Sequence, residues 1–231
     1  MKISGSSVLT AGTYDDINVS GKAVIEGDAA AANVAVSGSM VVKGVLRADT
    51  VSVQGKMVAG DIIADELKTN GKTSVTGDVT VKNHHNNGKL TIDGNCYGDV
   101  FGVSGKTSIS GNCEVEQFTS NGQVHIDGLL NADDITLQLI NESFIRELGG
   151  NHIIVKKKAS GGLFNFGSQE GMLTSELIEG DDITLEHVTA NVVRGRHVTI
   201  GTGCHIDLVE YSGSIDIDGR STVKEQLNTG M

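Results

Sequence analysis

The side chains able to do chemistry in this sequence are few and scattered. Three cysteines, Cys96, Cys113 and Cys204, include no Cys-x-x-Cys pair, which suits a reducing compartment better than a disulfide framework. The one local histidine cluster is Asn83-His84-His85-Asn86-Asn87. Neighbours on a strand point to opposite faces, so His84 and His85 do not share one metal, and His84 reads as a coil irregularity or a lone metal-binding corner. His125, His152, His187, His197 and His205 show no ligand spacing. Adjacent acids occur as Asp15-Asp16, Asp133-Asp134 and Asp181-Asp182, each just before an Ile-x-Val or Ile-x-Leu run. General acid/base chemistry wants two carboxylates converging on a cleft, whereas solvated turn entries account for all three pairs. Gly201-Thr202-Gly203 lacks the lysine and the strand-loop-helix setting of a phosphate loop. These residues assign no catalytic, cofactor-binding or metal site, and the chain reads as a non-enzyme.

The elements that hold these residues follow from a repeat. The 231 residues include 31 Gly, no Pro and no Trp, and 38% are hydrophobic, which excludes collagen and disordered acidic tails alike. One glycine series runs Gly21, Gly38, Gly55, Gly71, Gly88, Gly105, Gly122, in steps of 17 with a single 16. A second, Gly27, Gly44, Gly60, Gly77, Gly94, Gly111, Gly128, interleaves with it. Between them lie alternating apolar pairs such as Ala23/Ile25, Met40/Val42 and Leu90/Ile92. Further pairs follow the second glycine (Leu46/Ala48, Cys96/Gly98) and precede the next first glycine (Val34/Val36, Phe101/Val103). Three short strands with one buried face in each glycine period make one coil of a three-sided, all-β solenoid. Glycines are expected at corners that need unusual φ values, and the absence of Pro protects every ladder donor.

Beyond Gly128 the rhythm fades, but Asp133-Asp134-Ile135-Thr136-Leu137 returns letter for letter as Asp181-Asp182-Ile183-Thr184-Leu185, at an offset that reads as three coils of equal length. The sequence therefore reads as a single solenoid domain over residues 1–231. Regular coils cover about 3–137, less regular ones about 138–223, and a loop at about 159–175 protrudes. At about 17 residues each, roughly thirteen coils fit. Cys96 and Cys113 then share an inward column in adjacent coils, near enough for a disulfide but placed as two small core hydrophobes.

Net charge is −11, from 18 basic and 29 acidic residues, which argues against nucleic acid as a partner. No apolar run reaches the roughly 18 residues of a membrane span and the start has no signal-peptide core, so a soluble cytoplasmic protein without direct membrane insertion is expected. One position after the first glycine stand Lys22, Lys56, Lys72, Lys89 and Lys106. This ladder reads either as lateral recognition of a partner or anionic surface, or as solvated corners that block sideways aggregation. Leu163, Phe164 and Phe166 in the glycine-rich loop are candidate partner anchors or a cover for the solenoid. At the ends, Ile3, Val8, Ile17, Ile215, Ile217 and Val223 are the expected interface residues, because uncapped end coils offer unpaired strand edges whose heterologous contact does not close.

Repeats of the form Val-x-Val-x-Gly-x-x-x-Ile-x-Gly-Asp/Asn, as in Ile17 to Asp28 and Leu67 to Asp78, resemble the bactofilins, bacterial polymer-forming cytoskeletal proteins. The resemblance covers Ile17 to about Leu137 well and the remainder more loosely, in the manner of longer Gram-positive members. It implies a right-handed parallel β-helix and nucleotide-independent, end-to-end polymers without cofactors. It also implies a scaffold for an envelope process such as cell shape, motility or flagellar assembly. Partners would be other copies of the chain, a paralogous bactofilin, or a membrane protein holding it at the inner face. The Pro-rich tails and N-terminal membrane-targeting segment of many members are not in this sequence. The competing reading is a β-helix enzyme of the hexapeptide acyltransferase type, whose strict hexapeptide rhythm differs from the six-and-eleven alternation here.

Overall fold

A coil this short, with inward side chains on three walls, has no interior large enough to fold alone, so its apolar columns must be completed by the coils on either side. The computed structural model, which describes residues 1–158 and 171–230, has this construction. The regular elements among the described residues are strands, paired in parallel, with no helix long and apolar enough to cross a membrane. The chain divides into two compact units, Met1–Val115 and Glu116–Met231, each a stack of β-solenoid coils.

In the first unit a short strand such as Lys56–Ala59 alternates with a longer one such as Ile62–Thr69. Ile62–Thr69 holds the second and third sequence strands without a break, with Ala48 and Ala64 in register between them, whereas Cys96–Tyr97 and Val100–Val103 are separate strands. The register follows the glycine period: Lys22 pairs with Ser39, Ser39 with Lys56, Lys56 with Lys72, Lys72 with Lys89, and Lys89 with Lys106. Inward columns are buried throughout, as in Val34, Val51, Leu67, His84 and Phe101. Burial of one such aliphatic side chain is worth about 1.5–3 kcal/mol.

In the second unit the column Leu130, Leu148, Ile178, Val193, Val209 advances in unequal steps of 18, 30, 15 and 16. The Asp-Asp-Ile-Thr-Leu repeat therefore spans two coil steps, of 18 and 30, and not three equal ones. The extra residues of the long step fall between strands Ser143–Lys157 and Leu173–Leu185. Strand structure resumes at Leu173, so Leu173 and Ser175, expected in the loop, are buried wall residues.

The first-series glycines are not at positive φ. Among the described glycines only Gly27 and Gly203 are, at 141° and 74°, and His187 joins them at 55°. What excludes a side chain is the coil beneath: a Cβ at Gly71 would fall onto the Gly55 carbonyl oxygen, and one at Gly88 onto that of Gly71. The same oxygens accept from the next coil, Lys72 N to Gly55 O and Lys89 N to Gly71 O at 2.8 Å. The Asp or Asn after the second-series glycine makes a second spine. Asp61 Oδ1 accepts from Asp78 N at 2.9 Å, Asp78 Oδ1 from Asn95 N at 2.7 Å, and Asn95 Oδ1 from Asn112 N at 2.9 Å. Each of these side chains holds the backbone of the following coil in register.

Polar groups inside the first unit are satisfied, with one exception. Asn86 donates to Thr107 Oγ1 at 2.7 Å and to the Lys106 carbonyl at 3.0 Å, and accepts from Gly88 N at 3.0 Å. Thr69 donates to Thr73 at 3.2 Å. His84 stands in register between Leu67 and Phe101, with no coil irregularity. Both of its ring nitrogens are buried without a hydrogen-bond partner, and its ring meets Phe101 edge-on at 4.2 Å. Burial, then the neighbouring His85 charge, lowers its pKa from 6.5 to about 3.

Two outcomes are expected. Gly71→Ala should cost about 1–3 kcal/mol in urea unfolding because the backbone must move. Gly5→Ala, whose Cβ meets nothing within 4 Å, should stay within about 0.5 kcal/mol. Between pH 6.5 and about 3 only the unfolded chain takes up the His84 proton, so this residue lowers stability by about 1.4 kcal/mol per pH unit of acidification. His84→Leu should remove that share of the slope and raise stability at neutral pH by about 1–3 kcal/mol. Urea titrations of both proteins near neutral pH and about two units below it provide the comparison; an unchanged difference between them would refute the assignment.

Candidate functional site

Since one coil repeats the next, an outward residue type repeated at one coil position becomes a straight column, and the columns are the candidate sites. The lysine column is assembled as its spacing foretold, with Lys22, Lys56, Lys72, Lys89 and Lys106 exposed and in register, interrupted once by Ser39. None of the five has a carboxylate partner among the described residues. Other lysines do: Lys43 with Glu26, Lys68 with Glu66 and Lys82 with Asp65, each at 2.6 Å.

A shallow open groove of about 590 Å³ runs along another corner of the first unit, floored by Ala31, Ala48, Ala64, Val81 and Gly98. Arg47, Asp49, Asp65, Lys82 and Asp99 border it with mixed charge. In the second unit a comparable groove of about 610 Å³ passes over Ala132, Gly150 and Gly180 between acidic borders that include Asp133, Glu147, Glu179 and Asp181.

Register in the second unit joins residues that the sequence left apart. Asp134, His152, Asp182 and His197 stack in successive coils. His152 lies 3.1 Å from Asp134 and 3.6 Å from Asp182, and His197 Nδ1 lies 3.0 Å from Ser214 Oγ. The repeated Asp-Asp-Ile-Thr-Leu motif was the signal for this ladder, hidden by the one long step that breaks even spacing. Arg194 likewise bridges two coils, to Glu210 at 2.6 Å and Glu179 at 3.1 Å, and the Glu210 hydrogen bond is the largest influence raising its pKa. Among the described residues no group of three or more His, Cys, Asp or Glu is placed to hold a metal ion.

The cysteines are core residues. Cys96 and Cys113 pair in register and are buried, and the Cys113 thiol is held well above its ordinary pKa by its hydrogen bond with Cys96 and by burial. Burial likewise raises Cys204. Thiols so placed are poor nucleophiles and poor metal ligands.

Of the expected end residues, Ile17 is fully buried and Ile3 is 6% exposed, because Lys2 and Ile3 pair over Asn18 and Val19. Neither offers an open apolar surface. Val8, 70% exposed, does. Ser6–Tyr14 pair with the following coil, and no described strand covers their other side. In the second unit Thr222–Asn228 pair with His205–Tyr211, leaving Leu227 half exposed and Val223, Ile215 and Ile217 half-buried. Leu163, Phe164 and Phe166 lie outside the described residues.

No protein-family model matches the chain, and no solved structure matches it. It is similar to two proteins of Bacillus subtilis (strain 168). One is the "Uncharacterized protein YhbF", 41% identical over 99 residues that span 42% of this chain and 40% of the relative. The other is the "Uncharacterized protein YhbE", 43% identical over 98 residues, or 42% of this chain and 41% of the relative. The similarity thus spans about two-fifths of the length of these curated relatives.

Proposed function

We propose that this chain is a structural protein of the bactofilin kind, forming nucleotide-independent polymers by stacking end coil on end coil and serving as a scaffold in the cytoplasm or at the inner face of the cell envelope. Cell shape, motility and flagellar assembly are the processes such a scaffold would support. The observation that carries this reading is the pair of coil ends just described. Val8 stands on an edge with backbone groups unpaired among the described residues, and Thr222–Asn228 presents the same kind of edge with Leu227 exposed. Parallel pairing of one edge with the other would extend the hydrogen-bond pattern that joins every coil to the next, and covering Leu9 and Val223, whose register partners Ile25 and Ile206 are buried, would supply apolar contact. The repeated outward columns and shallow open grooves fit a scaffold better than a reaction centre, which needs converging groups in a water-excluding cleft.

Negative-stain electron microscopy of the purified chain without nucleotide should show filaments across a range of protein concentrations and salt. Leu9→Arg and Val223→Arg, at inward-facing positions of the two edge strands whose register partners Ile25 and Ile206 are buried, should each abolish them while the thermal unfolding midpoint is retained. Monodisperse monomers, or closed trimers, at every concentration would overturn the polymer reading; trimers would favour the acyltransferase-type architecture.

A further inference from the structure

The five lysines stand in a wider strip of the first unit from which acidic residues are missing. Six stacked segments, residues 18–24, 35–41, 52–58, 68–74, 85–91 and 102–108, form one corner of successive coils. Together they hold Lys22, Lys56, Lys68, Lys72, Lys89 and Lys106, with His85, and no Asp or Glu; of these lysines Lys68, at the margin, is paired with Glu66 just outside the strip at 2.6 Å. The unit Met1–Val115 carries ten basic and twelve acidic residues, so six of the ten basic ones lie where none of the twelve acids does. In a chain of net charge −11 this is segregation of charge, not a basic composition.

Edge protection does not account for the strip. Lysine guards a sheet edge by standing beside unpaired backbone, but the strands beneath Lys56, Lys72 and Lys89 are paired on both sides. Stacked like charges without counter-charges are instead unfavourable for the coils that carry them, and the repulsion is relieved when anions lie against the row.

We propose that this strip is a peripheral docking ridge for an anionic lipid surface, engaged by electrostatic attraction alone. The row from Lys22 to Lys106 covers five coil steps, about 24 Å at strand spacing, on a convex corner that can meet a plane along its whole length. The five unpaired lysines fall within the range at which polybasic clusters hold to anionic bilayers. Nucleic acid is disfavoured because the six segments contain no Phe, Tyr or Trp to stack on a base and no arginine for bidentate contact. A rigid acidic protein would need carboxylates matched to the coil spacing and to the gap at Ser39, whereas lipid headgroups rearrange to suit. The methionines of the strip, Met40 and Met57, point inward and are fully buried, and its outward Val24, Val41 and Val58 are half-buried, which leaves the lysines among its exposed groups.

The test is flotation of the full-length chain with vesicles of phosphatidylcholine containing phosphatidylglycerol, and with phosphatidylcholine alone. Binding is expected only to the anionic vesicles, and raising NaCl well above physiological strength should release it. The variant Lys22→Gln, Lys56→Gln, Lys72→Gln, Lys89→Gln, Lys106→Gln should bind at least tenfold more weakly, given about fivefold per engaged lysine. A control, Lys2→Gln, Lys43→Gln, Lys82→Gln, Lys156→Gln, Lys224→Gln, changes net charge equally and should bind within a factor of about three of the parent. Matching thermal unfolding shows that both variants fold. Absence of binding to anionic vesicles, or equal loss in both variants, would overturn the proposal. So would ridge-dependent binding of a single-stranded oligonucleotide by a chain that leaves the vesicles unbound. Flotation does not depend on filament formation, so the ridge and the polymer reading stand or fall separately.

Discussion

Contact between one coil and the next is the constraint on which everything else in this protein depends. A single coil of the first unit encloses a few side chains and leaves the backbone groups of its strands without partners. Stacking in parallel register satisfies both at once. The pairing must be close at the corners, where the glycine of one coil rests on the carbonyl oxygen of the glycine below, as Gly71 does on Gly55. The Asp61, Asp78 and Asn95 carboxyl and amide oxygens do the complementary work, each accepting from the backbone nitrogen of the coil that follows. Glycine thus permits the approach and the Asx side chains fix its register.

That register also determines what the interior tolerates. Polar residues enter the core where a neighbour in the adjacent column completes their hydrogen bonds, as Thr107 and the Gly88 amide do for Asn86. His84 has no such neighbour and stays neutral inside an apolar column. Cys96 and Cys113 are stacked deep enough for burial and mutual hydrogen bonding to keep Cys113 a thiol. His84 and the three cysteines are thereby withdrawn from solvent, and the accessible polar groups stand in the outward columns. Lysines collect at one corner of the first unit, while Asp134, His152, Asp182 and His197 alternate along another column of the second. A solenoid turns a preference at one position of the repeat into a line of charge, and a line of charge suits an extended partner better than a small molecule.

Much of this was legible in the sequence, for a physical reason. A fold made of one repeated contact writes that contact into the chain many times. The two glycine series and the alternating apolar pairs therefore defined the coil, its strands and its inward columns, including the Cys96–Cys113 neighbourhood and the lysine row. The opposed facing of His84 and His85 followed from strand alternation alone. Only the tertiary structure decided the rest. It showed that close approach, not backbone angle, requires glycine at positions such as Gly71, because that demand comes from a carbonyl one full coil away. Ile17 proved to be sealed by the pairing of Ile3 with Val19, and Val8 to stand open. The Asp-Asp-Ile-Thr-Leu repeat divided into steps of 18 and 30, which brought His152 between Asp134 and Asp182. Spacing along a chain reports register as long as coils are equal in length; once one coil grows, only the pairing of strands in space says which residues meet.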